Sequence, residues 1–417
     1  MKQPIRQTAV LIHRWAGLSM AFFLLIAGLT GSLLAWYDEL ERLSSPQLFL
    51  ARPATPHQAA LDPIQLQKTV QAAYPQAAVN ALPLDTQPGR TLLFRLSPGP
   101  NGPALTDDQV FVDPYSGAIV GARKWGDPSQ GLKNLMPFIY RLHYSLALDE
   151  AGVWILGGAA LLWSLDCFAG AYLTFPAPAR KNAAAPARPW LRRWAVSWLI
   201  RHGGGAYKLT FDVHRASSLW LWAMLFMLAW SSVSFNLPQV YRPVMNALFS
   251  LQAEQPAPTV ATNPAHRPVL DWPAAQARGR ALMAALARDK RFQVLSEYAL
   301  YYDPISARYT YSVRSSLDVS RRWGSTQVSF DGDSGALSHV WLPTEGARGD
   351  TLGSWLASLH MAAIGGAPYK AFIMLMGLAV ATLSGTGVAI WWKKRQGRRK
   401  AAAKPAAANW PLAGEKR

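Results

Sequence analysis

Eight histidines are the side chains here best suited to holding a metal or cofactor, and they fall into two groups. His13 in LIHRWAGL and His214 in DVHRASSL each open an apolar run and are each followed by arginine. His143 in YRLHYSLAL and His360 in ASLHMAAIGG each lie on a short amphipathic segment just before another apolar run. The remaining four, His57, His202, His266 and His339, read as loop residues. The single cysteine, Cys167, sits inside an apolar run, so the chain offers neither a disulfide framework nor a thiolate metal site. Zinc wants about four ligands per site, and the sequence does not supply them. Two imidazoles from facing helices suit haem iron, which takes two axial ligands. Taken singly, each histidine also fits an interfacial anchor or a core hydrogen bond; the matched pairs favour ligation.

Other polar residues flank these four. Arg14, Arg215 and Arg141 are candidates to pair with haem propionates, although Arg14 and Arg215 are equally explained by membrane topology. Asp166 falls in the middle of an apolar run, where a carboxylate is expensive and functional by default. It fits either a proton relay or a neutral cross-helix hydrogen bond. Small residues line the same runs. Gly28 and Gly31 lie 15 and 18 residues after His13, roughly 22–27 Å along a helix, with Ala229 and Ser232 at the equivalent positions after His214. Gly170 and Gly387 each follow their histidine, His143 or His360, by 27 residues. Small side chains admit a macrocycle between helices, and they also pack helices in lipid.

The elements that must position these residues are membrane spans. Half of the 417 residues are apolar and 16% are charged, against about a quarter in soluble proteins. Four runs, 16–37, 153–175, 216–235 and 372–392, are long enough to cross a bilayer. Trp15, Trp36, Trp154, Trp391 and Trp392 mark their ends as interfacial anchors. The first is longer than a signal-peptide core and reads as an uncleaved anchor. The net charge of +18 is concentrated: residues 1–12, 176–210 and 393–417 hold 18 basic residues and one acid. A surplus confined to segments flanking spans follows the positive-inside rule rather than a nucleic-acid interface. It predicts cytoplasmic termini, with residues 38–150 and 236–367 outside, in the periplasm of a Gram-negative cell.

Those two outer segments resemble each other. Each opens with prolines (Pro53 and Pro56; Pro256, Pro258 and Pro264) and continues into a helical pattern, 63–74 or 273–289, capped by Asp62 or Asp271. Strand candidates follow at 91–96 and 110–112, then at 309–313 and 326–330. Each segment closes on an Asp-x-x-Ser-Gly turn, 113–117 or 331–335. Arg314, Arg321, Arg322, Trp323, Tyr301 and Tyr302 offer a basic and aromatic surface. The expected fold is an α-helical membrane protein, a four-helix transmembrane bundle carrying two periplasmic α+β domains in an internal two-fold repeat. Its parts are 1–37, 38–150, 151–175, 176–210, 211–235, 236–367, 368–392 and 393–417. Topology then puts His13 and His214 on the inner side of the membrane, and His143 and His360 on the outer side.

The stretches LIHRWAGLSMAFFLLIAGLTGSLLAW, RLHYSLALDEAGVWILGGAALLW, FDVHRASSLWLW and LHMAAIGGAPYKAFIMLMGLAV, the WWKKR after the last, and the two D-x-x-SG turns carry a family resemblance. With them the chain resembles the PepSY-associated transmembrane helix family, iron-regulated inner-membrane proteins that include ferric-siderophore reductases. The likeness covers nearly everything before about residue 400. It implies PepSY-like outer domains and two b-type haems, one on His13 with His214 and one on His143 with His360. It further implies outward electron transfer that reduces a periplasmic ferric siderophore and releases Fe(II). Some relatives carry a fused flavin domain. This chain has no room for one and no glycine-rich dinucleotide fingerprint, so a quinol or a cytoplasmic reductase is the expected donor. Tyr144 follows His143 where the family commonly has another polar or basic residue. No catalytic residue is legible. Two other functions remain open: haem electron transfer to a different periplasmic acceptor, and a non-enzymatic PepSY sensor or binding module.

Overall fold

The computed structural model describes residues 3–55, 57–99, 102–177, 189–254 and 266–402. Pro56, Pro256, Pro258 and Pro264, most of the basic segment 176–210 before Pro189, and the end of the basic tail lie outside the described residues. The site-bearing helices are α1 (Gln3–Leu34), α2 (Leu135–Ser145), α3 (Asp149–Thr174), α4 (Gly205–Trp220), α5 (Trp222–Asn236), α6 (Arg348–His360) and α7 (Gly366–Ala402). The chain divides into two units, one of residues 1–29, 159–230 and 376–417, the other of residues 30–158 and 231–375.

Among the described residues three helical stretches, Pro4–Leu34, Asp149–Thr174 and Gly366–Lys400, are long and apolar enough to cross a membrane. The chain is a membrane protein. The span expected at 216–235 differs from the other three. Its helix begins at Gly205 and bends by 72° at Leu221, so the fourth span is one only if α4 and α5 are counted together. Ser217 returns its hydroxyl to the Val213 carbonyl, and such back-bonding bends helices. Across the break, the Trp222 indole donates to the Cys167 carbonyl at 2.9 Å. In this first unit Cys167, Leu225, Leu228, Met376 and Val380 form a buried cluster.

Among the described residues the second unit holds nine strands. Strands β1 (Ala77–Val79), β3 (Leu92–Pro98), β4 (Gln109–Val112) and β5 (Ile119–Arg123) form one antiparallel sheet. Strands β2 (Ala81–Pro83), β6 (Val294–Asp303), β7 (Arg308–Ser315), β8 (Thr326–Asp331) and β9 (Leu337–Trp341) form the other. Helices Pro63–Ala73 and Trp272–Lys290 carry the expected caps: Asp62 accepts from the Ile64 amide and Asp271 from the Ala274 amide. Both Asp-x-x-Ser-Gly turns close with a glycine at positive φ, 76° at Gly117 and 70° at Gly335. The carboxylates of Asp113 and Asp331 hold the Tyr115 and Ser334 amides.

The two outer segments are not independent bodies. Residues 77–83 pair with β3 through β1 and with β6 through β2. Leu66, Phe94 and Val110 from the first segment share one core with Met283, Tyr311 and Phe330 from the second. Each such side chain contributes about 1.5–3 kcal/mol on burial, so the two halves stabilise each other. His339 is a strand residue of β9 rather than a loop residue, paired in register with Ser329 of β8.

Candidate functional site: two histidine pairs

The four helix-borne histidines meet in two pairs, each contained within one unit. In the first unit the rings of His13 and His214 lie with centroids 6.2 Å apart and planes inclined at 59°. In the second, His143 and His360 lie 6.2 Å apart at 69°. The sequence places His13 and His214 at the openings of spans, but both sit well inside helices that start at Gln3 and Gly205. The polar flanks are themselves helical, since a helix need not end where its apolar stripe does. His143 and His360 are on the last turns of α2 and α6, as their amphipathic context suggests.

Tight turns after α2 and α6 fix the second pair. After His143 the chain reverses through Leu146, Ala147 and Asp149, all at positive φ, a region costly for residues with a Cβ. The Leu146 and Ala147 amides cap the Leu142 and Arg141 carbonyls. At Gly152 a Cβ would overlap the Ser145 carbonyl, so only glycine lets α3 start so close to the end of α2. Asn236 at the end of α5 holds this corner from the side, donating to the Tyr144 carbonyl at 2.9 Å and the Val153 carbonyl at 3.2 Å. His360 is followed by Ala362, Gly365 and Gly366 at positive φ before α7. Burial beside His143 lowers the pKa of His360 to about 3, which keeps its ring neutral and a nitrogen lone pair available.

Every one of the four imidazoles has its Nδ1 atom against a side-chain oxygen of another helix. His13 Nδ1 lies 2.9 and 3.0 Å from the Asp166 carboxylate oxygens. His214 Nδ1 is 3.0 Å from Thr386 Oγ1, His143 Nδ1 is 3.0 Å from Thr30 Oγ1, and His360 Nδ1 is 2.7 Å from Ser231 Oγ. Thr386 donates its own hydroxyl hydrogen to the Thr382 carbonyl, which leaves its oxygen to accept from His214. Metal-ligating histidines almost always donate their second ring N–H in this way, which fixes tautomer and orientation and assigns coordination to Nε2.

Three of the glycines abut these rings. A Cβ at Gly31 would lie 3.0 Å from His143 Cε1, one at Gly170 3.4 Å from His13 Cε1, and one at Gly387 3.3 Å from His214 Cε1. Gly28 instead faces the backbone of Gly377 and Ala381, a helix-packing role. Asp166 lies across helices within hydrogen-bond distance of His13 Nδ1.

The arginines divide. Arg141 is taken up by Asp149 at 2.8 Å and the Gly126 carbonyl at 3.1 Å. Arg215 pairs with the fully buried Asp212 at 2.8 Å, while its Nε is buried without a partner. Arg14 also has a buried, unpartnered Nε, with its guanidinium over the Trp15 ring. In the second unit, Arg314 and Arg322 pair with Asp85 and Asp38, and Tyr302 joins the core.

A family model described as the PepSY-associated TM region matches residues 10–394. The chain belongs to the PepSY-associated TM family. No curated protein matches it. Within this PepSY-associated chain, the residues that sequence reasoning missed are the supporting hydroxyls Thr30, Ser231 and Thr386. A signal for two of them was present: Thr30 and Ser231 each follow a paired histidine, His13 or His214, by 17 residues. Among the described residues no three His, Cys, Asp or Glu side chains gather as a metal cluster.

Proposed function

We propose that this protein is a haem-bearing oxidoreductase of the Gram-negative inner membrane, with both termini cytoplasmic. It carries electrons outward to reduce a periplasmic ferric siderophore and release Fe(II). The observation that carries the proposal is the repeated imidazole pair, with all four Nδ1 atoms held by neighbouring helices. Two imidazoles that would hold one metal ion between them, each through a nitrogen at ~2.0 Å, have ring centroids ~6 Å apart. Both pairs have this separation. The glycines against three of the rings, and the unpartnered Nε atoms of Arg14 and Arg215, suit a flat macrocycle with acidic side groups.

His13 and His214 would hold a b-type haem on the inner side, and His143 and His360 a second on the outer side. Such a group supplies a reversible one-electron Fe(III)/Fe(II) couple. The chain's own part is to orient the imidazoles, fix their tautomers and keep His360 out of water. A quinol or a cytoplasmic reductase is the donor. Release of iron follows because Fe(II) binds hard oxygen ligands far less strongly than Fe(III).

The test is an optical spectrum of the purified protein from haem-replete cells, oxidised and then dithionite-reduced. A low-spin b-type spectrum at two haems per chain is expected, with reoxidation on mixing with ferric siderophore. A colourless preparation overturns the proposal in favour of a binding module. Haem that ignores ferric siderophore but reduces another periplasmic acceptor changes the substrate alone.

A further inference from the structure

The four supports of the histidines are not chemically equal. Three are neutral hydroxyls, Thr30, Ser231 and Thr386, and one is a carboxylate, Asp166. The carboxylate is 6% exposed on a helix otherwise apolar around it. Among the described residues, His13 Nδ1 is its only side-chain partner, and no lysine or arginine forms an ion pair with it. A buried carboxylate without compensating charge is strongly disfavoured. A cation held by the other ring nitrogen of His13 would provide that compensation through the imidazole.

The carboxylate also departs from the internal repeat. Asp166 follows His143 by 23 residues, and the residue 23 after His360 is Leu383. The asymmetry therefore belongs to one histidine pair alone.

We infer that Asp166 gives the His13–His214 site the lower reduction potential of the two, so that electrons run downhill toward the His143–His360 site. The inference rests on the haem reading above. Reduction of Fe(III) by one electron removes one unit of positive charge, and a fixed anion on the ligand favours the state that keeps it. A carboxylate that accepts from Nδ1–H raises the basicity of the imidazole and acts in the same direction. The hydroxyls at the other site, being neutral, do neither. Each turnover step moves a single electron. A quinol donor is oxidised to quinone over two such steps, releasing two protons, whereas a cytoplasmic reductase delivers its electrons singly; each electron reduces one terminal ferric chelate to ferrous. Asp166 is thus a positioning and tuning residue that touches neither donor nor acceptor.

The experiment is an anaerobic spectroelectrochemical titration of the full-length protein in detergent. Wild type should show two one-electron waves, and His214→Ala, which removes the first site, should lose the lower one. Asp166→Asn keeps an acceptor oxygen of the same shape without the charge. It should raise the lower wave by at least tenfold in the equilibrium constant, ~59 mV for one electron, and leave the upper wave in place. Asp166→Glu should restore the wild-type position, which a merely structural role would not predict. If Asp166→Asn instead discards a haem, the surviving wave must be the upper one; survival of the lower wave overturns the inference. Thr30→Asp, which gives His143 a carboxylate, should lower the upper wave. Two haems with unmoved potentials in Asp166→Asn overturn the role of Asp166 and leave the haem reading standing. A wild-type protein without haem overturns both.

Discussion

The two histidine pairs have the same ring separation but are built differently. His13 and His214 stand on α1 and α4, and their supports Asp166 and Thr386 stand on α3 and α7. The first pair therefore stands wholly on helices of the first unit. His143 and His360 stand on α2 and α6, short helices held by the folded second unit, while their supports Thr30 and Ser231 come from α1 and α5. The second pair depends on the folded second unit and on strained turns. A matched sequence pattern thus yields one site governed by helix packing and another governed by a globular core.

Replacing a proposed haem ligand gives the largest expected effect. His360→Ala should lower haem from two per chain to one and abolish reduction of external ferric chelate, read by pyridine haemochrome content and reoxidation rate. The next test separates the pairs by their scaffolds. Arg123, 2% exposed, pairs with the nearly buried Glu41 at 2.7 Å and donates to Gln109 Oε1 and the Lys133 carbonyl. Desolvation raises the pKa of Glu41, so the pair matters because each charge answers the other. Arg123→Met strands that carboxylate in the core, at about 3–5 kcal/mol. Melting of the second unit should come earlier, with loss of the His143–His360 haem and retention of the other. Equal loss of both haems would erase the contrast between the sites.

Gly31→Val is a steric probe at the second pair. Its Cβ alone would lie 3.0 Å from His143 Cε1, and the added methyls should displace the ring. The expected result is a high-spin signal from one haem in the electron paramagnetic resonance spectrum, with the other unchanged. The mildest change is Ser231→Ala, which removes the partner of His360 Nδ1 and leaves the ring in place. Loss of such a support typically weakens metal affinity about 10–100-fold. Competition with apomyoglobin should show the second site giving up haem faster, with the first unaffected.

Much of this was legible in the sequence because the signals are local. Apolar runs give helices, caps such as Asp62 and Asp271 mark starts, and Asp-x-x-Ser-Gly closes a tight turn wherever it occurs. Histidine spacing is equally local along a helix, which is why the four paired residues stand out from His57, His202, His266 and His339. The 72° bend at Leu221 was not legible, since an apolar run reads the same whether straight or broken. Nor was the common core of the outer segments, since the pairing of β2 with β6 joins residues more than 200 apart.

The supports of the histidines were the least visible feature. Serine and threonine are ordinary in membrane helices, and only a neighbouring imidazole distinguishes Thr386 from Thr382. Asp166 was conspicuous in the sequence because a charge in lipid is costly anywhere, but its partner was open. The sequence by itself determined the histidines, the apolar helices that carry them and the anomalous carboxylate, since hydropathy and residue type act at short range. Tertiary structure alone decided which histidine faces which and which oxygen holds each Nδ1, because those contacts depend on helix rotation and packing that no single segment encodes.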